Sequence, residues 1–384
     1  MEIIIPLILN GFSMVMISSL SLRNNMMNGN PYAQPLKQFQ FIGIGVILAM
    51  MMMTYCESRR EDNAKKKKPG KNFLDIIRDN SGKLFAFSWF LVLLTLIPGL
   101  GVKVGGARRW LSLPGFRFQP LEVILFTLPI FMADRLTDES SLPKVMNFKS
   151  FLKPTLTVII IVGTFLMGQP NLGGTILVAA ICLTMHVERR GWKYPLITFL
   201  IAAVLAVGFI NFAPYLIAEY RMRRVRAFLD PWEDPMNTGY QIIQGLVAFA
   251  NGSLTGVGIG KGLQQEKYLP EASTDYIFPA IGEEFGLVGT MFLLILYALW
   301  TWKVFYIYKN AKSPFTKSLA LGLAASVIYP MFVNAAGVMK LMPLTGIPMP
   351  FVSAGGSSML FMWAKVGLLM CIKIESEEYK DDDE

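Results

Sequence analysis

About ten apolar stretches, each near the length of one bilayer crossing, run through the 384 residues between Ile3 and Ile374. A hydrocarbon core about 30 Å thick takes roughly 20 apolar residues per helical crossing. The stretches lie at about 3–22, 38–55, 84–101, 119–134, 154–168, 173–187, 194–212, 285–308, 318–340 and 357–374. The fifth and sixth are short, and the Gln169-Pro170-Asn171 break between them also fits a re-entrant hairpin. With 53% hydrophobic and 16% charged residues, the solvent for most of the chain is lipid. The fold class expected is therefore an all-α integral membrane protein. One membrane domain covers 1–374, a large outer loop occupies 213–274 between the seventh and eighth helices, and an acidic tail follows at 375–384.

The net charge of +9 does not imply nucleic acid, because the basic residues fall in short blocks between apolar runs. The loop after the second stretch carries Arg59, Arg60, Lys65, Lys66, Lys67, Lys68, Lys71, Arg78 and Lys83. Such a block belongs in the cytoplasm. Ten crossings then put both termini there, together with the loops holding Arg189, Arg190 and Lys193 and holding Lys309, Lys312 and Lys317. The first stretch lacks a basic leader and a small-residue cleavage site, so it reads as a retained helix. Cys56, Cys182 and Cys371 form no CxxC pair and have no neighbouring histidine, which indicates neither a disulfide framework nor zinc. His186, at a cytoplasmic helix end, reads as interfacial.

The long outer loop is the most informative segment, since loops of this length usually carry function. Arg221, Arg223, Arg224 and Arg226 fit an amphipathic interfacial helix and also suit an anionic lipid-linked ligand. The Gly-rich run from Gly256 to Gly262 has no preceding strand and no GK[ST] ending, so it is not read as a nucleotide site.

Eight motifs in order carry a resemblance: Gly106-Ala-Arg-Arg-Trp110, Gln119-Pro120-x-Glu122, Gln169-Pro-Asn-Leu-Gly173, Phe228-Leu-Asp-Pro-Trp-Glu-Asp-Pro235, Gly239-Tyr-Gln241, Leu269-Pro-Glu-Ala-Ser-Thr-Asp-Tyr-Ile-Phe278, Gly282-Glu-Glu-Phe-Gly286, and Gly346-Ile-Pro-Met-Pro-Phe-Val-Ser353 with Gly355-Gly-Ser-Ser358. In these the chain resembles the SEDS peptidoglycan glycosyltransferases, and its Pro-Trp-Glu-Asp form is similar to the FtsW-type division branch more than to the RodA-type elongation branch. The resemblance implies ten transmembrane helices in a bacterial cytoplasmic membrane at the division septum. It also implies polymerisation of lipid II at the outer face, a class B penicillin-binding transpeptidase as partner, and other divisome membrane proteins nearby.

Such a reaction needs a base for the attacking hydroxyl and cations for the pyrophosphate. Asp275 stands at the position of the family's essential aspartate, which implies a general base; as residues alone, it equally N-caps the helix that follows. Arg108 and Arg109, with Trp110 as interfacial anchor, suit a pyrophosphate, and equally suit ordinary lipid phosphates. Glu122 lies inside the fourth stretch, where a lone carboxylate is costly and marks function by default. Glu283, beside Glu284, reads first as a helix-start carboxylate. The resemblance adds Glu283, Gln244, Ser353, Ser357 and Ser358 to the substrate-binding set. Pro343, Pro348 and Pro350 among glycines imply non-helical backbone at membrane depth, which must be buried in protein or line a cavity. No cofactor and no metal ligand set is assigned, although a divalent cation beside Glu122 is compatible with the pattern.

Departures from the family are Leu121 for serine, Leu125 for lysine, Asn171 for aspartate, Ser273 for histidine and Ala354 for tyrosine. This thinning of polar groups keeps two alternatives to the polymerase open: a lipid II flippase, and a non-catalytic scaffold for the transpeptidase.

Overall fold

The computed structural model describes residues 1–24, 30–65, 70–97, 99–104, 107–113, 116–137, 158–159, 169, 171–193, 196–197, 226–264 and 268–378. Its helices are α1 (Ile4–Asn24), α2 (Ala33–Ala64), α3 (Phe73–Asp79), α4 (Ser81–Leu96), α5 (Pro120–Thr137), α6 (Leu172–Arg190), α7 (Tyr240–Gly252), α8 (Ile277–Asn310), α9 (Pro314–Val338) and α10 (Gly356–Glu378). Five of them, α1, α2, α8, α9 and α10, are long and apolar enough to cross a membrane. The expected fifth and seventh stretches, and Arg221, Arg223 and Arg224, lie outside the described residues apart from short pieces.

The expectation of a purely helical chain needs correction. Between α4 and α5 stands a three-stranded antiparallel sheet, β1 (Gly101–Val104), β2 (Ala107–Leu113) and β3 (Phe116–Phe118), in the order β1-β2-β3. The strands satisfy backbone groups by pairing with one another, and the sheet puts Arg108 opposite Lys103 and Trp110 opposite Val102.

Small residues let the helices approach closely, as expected where lipid supplies no hydrophobic drive between them. Gly45 of α2 lies against Trp363 of α10, and Gly367 of α10 against Ala49. Gly322 of α9 meets Pro129 of α5 and Met185 of α6. One end of the bundle is tied by ion pairs: Glu2 to Lys373 at 3.5 Å and Arg78 to Asp134 at 3.2 Å. Both termini of the described chain therefore share the end that carries the basic loop.

Two further expectations change. Cys56 and Cys371 form a disulfide between α2 and α10, with their Cα atoms 5.8 Å apart; helix packing joins them, which no local spacing could reveal. His186 is fully buried in α6 rather than interfacial.

The Gly-rich run is a splice into α8. At Gly286 the helix is broken (φ 66°, ψ −163°). The carbonyls of Glu283 and Glu284, freed from the helical ladder, accept from Val257 and Gly258 N–H at 2.9 and 3.0 Å. In return Leu287 and Val288 donate to the carbonyls of Ser253 and Leu254 at 2.9 and 3.1 Å. A Cβ at Gly256 would fall 2.1 Å from the Glu284 carbonyl, so glycine is required there by close approach as well as by its φ of +81°.

Candidate active site

At the end of the bundle opposite the basic loop, the segment 341–355 runs without helix between α9 and α10. Its carbonyls are met by three buried side chains from α1 and α8. Asn10 donates to Phe351 O at 2.9 Å, Ser13 to Val352 O at 2.6 Å, and the Tyr297 hydroxyl to Pro350 O. This irregular backbone is thus enclosed in protein, the condition under which a membrane protein tolerates non-helical chain in its interior.

The chain just before α8 docks on this segment. Ser353 Oγ donates to Thr274 O at 2.6 Å and accepts from Met349 N–H at 2.8 Å, while Ala354 N–H donates to Ser273 O at 2.8 Å. Asn334 of α9 bridges both strands of chain, its Nδ2 donating to Asp275 O and to Ile347 O, each at 2.8 Å. Asp275 is half-buried between them, and a Cβ at Gly346 would lie 3.1 Å from its Oδ2. The N-cap position of α8 is Tyr276, so Asp275 stands one residue before it.

Gly346 also borders a small cavity of about 10 Å³, so this cavity and the Asp275 carboxylate lie on either side of one glycine. Gln119, Glu122 and Leu125 wall it on one side, Asn171, Pro330 and Ile347 on another, and Ser358 and Met362 of α10 close it. Glu122 is buried beside Ser358, and its Oε2 has no hydrogen-bond partner among the described residues. Asn171 N-caps α6, its Oδ1 accepting from Gly174 N–H at 3.1 Å. Gly173 meets Thr345 and Ile347 side chains, which sets the start of α6 directly against the 341–355 segment.

The remaining residues named from sequence fall around this centre at different distances. Arg109 donates from Nε to Gln169 O at 3.4 Å, behind the turn that carries Asn171; Arg108 is exposed on β2, and Trp110 is half-buried beside it. Gln244 is half-buried on α7, whose Gly245 packs on the Tyr276 ring. Ser357 is buried at the start of α10. Glu283 is directed elsewhere: it accepts from Leu263 and Gln264 N–H, both at 3.0 Å, and from Asn251 Nδ2 at 3.3 Å, holding the spliced loop. Among the described residues no three His, Cys, Asp or Glu side chains gather as metal ligands. Asn334 and Lys365 were not foreseen. Asn334 carried no motif, and Lys365, fully buried in α10, stands alone in an apolar run. An intramembrane lysine is itself the signal that could have found it.

Comparison with known proteins agrees with this architecture. The family profile for cell cycle proteins of the FtsW, RodA and SpoVE group matches residues 1–378. A probable peptidoglycan glycosyltransferase FtsW of Thioalkalivibrio sulfidiphilus is 37% identical over 304 residues, 78% of this chain and 74% of the relative. A protein of the same description from Methylomonas methanica is 33% identical over 371 residues, 96% of this chain and 89% of the relative. Among solved structures, a chain from work on structural coordination of polymerization and crosslinking by a peptidoglycan synthase complex superposes with a TM-score of 0.74 and 25% identity, over 97% of each chain. The rod shape determining protein RodA of Thermus thermophilus gives 0.65 at 22% identity, over 97% of this chain and 95% of that one. The chain is a multi-pass membrane protein of the FtsW/RodA/SpoVE family of cell cycle proteins.

Proposed function

We propose that this chain is a peptidoglycan glycosyltransferase that polymerises lipid II into glycan strands during cell division. The observation that carries the reading is the close approach of Asp275 to Gly346 on the wall of the Glu122 cavity, at the end of the bundle opposite the basic loop. In the proposed step the 4-hydroxyl of one disaccharide attacks C1 of another lipid-linked disaccharide. The O4–C1 bond forms, the bond from C1 to the pyrophosphate oxygen breaks, and undecaprenyl pyrophosphate departs with the electron pair. Asp275 takes the hydroxyl proton. Arg108 and Arg109, with Trp110 at the interface, attract the pyrophosphate, and Glu122, Ser357 and Ser358 line the sugar side. Gln244, Ser353 and Glu283 act by holding the loops that frame the substrate. No external nucleotide is needed, because the leaving group supplies the driving force.

The accompanying topology is ten crossings in a bacterial cytoplasmic membrane at the septum, with both termini and the 56–83 loop in the cytoplasm and the 213–274 loop outside. A class B penicillin-binding transpeptidase is the proposed partner, supported by the likeness to the synthase-complex chain. The test is polymerisation of lipid II by purified protein, with and without such a transpeptidase. Glycan strands are expected, and their absence in both conditions removes the polymerase reading in favour of a scaffold.

A further inference from the structure

Two ionisable side chains are buried in the apolar interior on neighbouring helices, Glu122 of α5 at 5% exposure and Lys365 of α10 at 0%. Each feels the other's charge across the α5–α10 contact. Their placement follows from the helix period. Ser358, Met362 and Lys365 recur at spacings of four and three, so they form one stripe of α10. Ser358 and Met362 line the same cavity as Glu122. Lys365 follows one turn deeper.

The ammonium has a specific anchor. Pro330 in α9 has no N–H, so the carbonyl four residues before it, that of Ser326, loses its helical donor. Lys365 Nζ donates to that carbonyl at 3.1 Å. Pro330 itself lines the Glu122 cavity, so the proline both opens a polar site at membrane depth and borders the space the carboxylate faces. A neutral carbonyl leaves the positive charge uncompensated. An isolated charge in such a medium is costly, and an opposite charge on an adjoining helix offsets much of that cost.

We propose that Lys365 is the buried counter-charge of Glu122, a positioning residue that keeps this side chain an oriented carboxylate, with Oε2 free to accept a hydrogen bond in the cavity. The role in turnover rests on the glycosyl-transfer reading above; the pairing itself does not. Leu125 provides the means to separate charge from packing. It lies one turn along α5 from Glu122 and on the same cavity wall, so a lysine there reaches Glu122 from its own helix.

The experiment compares wild type, Lys365→Met and Lys365→Met/Leu125→Lys, each with and without Glu122→Gln, by infrared difference spectroscopy in membranes and by lipid II polymerisation. The Glu122 difference band is expected to be that of a carboxylate in wild type, a protonated carboxyl in Lys365→Met, and a carboxylate again when the lysine is moved to 125. Polymerisation should fall about ten- to a hundredfold in Lys365→Met, the range typical of losing a group that orients a site residue, and recover in the relocated variant. A carboxylate band that persists in Lys365→Met overturns the pairing. Unchanged turnover with a protonated Glu122 overturns the positioning role. If Lys365→Met fails to fold, folding of the relocated variant supports the pairing, and failure of both assigns Lys365 to packing against α9. A wild type that makes no glycan defeats the glycosyl-transfer reading, while the infrared bands still decide the pairing.

Discussion

Replacing Gly346 by alanine probes the geometry around Asp275 with one carbon atom. Gly346 has φ +69°, a conformation that disfavours a side chain by about 1–2 kcal/mol. The added Cβ would also lie 3.1 Å from Asp275 Oδ2, closer than an ordinary contact, so the carboxylate must give way by a few tenths of an ångström. A misplacement of about 1 Å costs roughly a hundredfold in rate. If the penalty scales with displacement, roughly 0.3–0.5 Å corresponds to about a four- to tenfold loss. Gly337→Ala is the control, because its Cβ would meet nothing nearer than 3.6 Å inside α9. The assay is the initial rate of glycan formation from lipid II, with detergent melting of each variant. The expected result is a four- to tenfold slower Gly346→Ala that still binds lipid II, beside a Gly337→Ala at the wild-type rate. Equal rates for all three would show that the carboxylate is not set by this contact.

Two further outcomes follow from the contacts around the site. Glu283→Gln keeps one oxygen for the Leu263 and Gln264 N–H groups but removes the charge and sets an amide NH2 against Gln264 N–H where Oε2 stood, which should destabilise the loop by about 1–2 kcal/mol. Faster hydrogen exchange over 256–264, with α9 and α10 unchanged, is the readout. Arg109→Ala should weaken lipid II binding roughly ten- to a hundredfold, the worth of one charge-assisted contact, whereas Arg60→Ala should leave it unchanged. Equal losses in titrations with vesicle-borne lipid II would reduce Arg109 to a general membrane anchor.

The membrane class was legible because the cost of apolar surface in water and of bare backbone in lipid acts locally, residue by residue. The apolar windows at 3–22 and 119–134 end within a few residues of α1 and α5. The 285–308 window opens beside the Gly286 break, where α8 changes from a spliced segment to a continuous helix. The sheet was readable in principle: Val102-Lys103-Val104 and Phe116-Arg117-Phe118 alternate with a period of two, but each run is too short to stand out. Motif order pointed to Asp275, Glu122 and Ser358 individually. What held them in one place was invisible, because Gly346, Asn334 and Lys365 act across helices far apart in the chain. Leu125 illustrates the limit: its missing charge suggested a weakened site, yet a buried lysine, Lys365, stands on the α10 stripe whose Ser358 and Met362 line the Glu122 cavity. Cys56 and Cys371 mislead for the same reason.

The most direct measurement of the central claim is glycan synthesis from lipid II by wild type and Asp275→Asn, purified side by side with the transpeptidase present. Asparagine keeps the size and polarity of the side chain but cannot take a proton, and loss of a general base lowers rates by about 10² to 10⁴. Because the N-cap of α8 is Tyr276 and asparagine keeps an accepting oxygen at 275, the substitution should leave melting in detergent and partner binding unchanged. The account predicts glycan strands from wild type and at most about 1% of that rate from Asp275→Asn. Polymerisation by Asp275→Asn at the wild-type rate would contradict it.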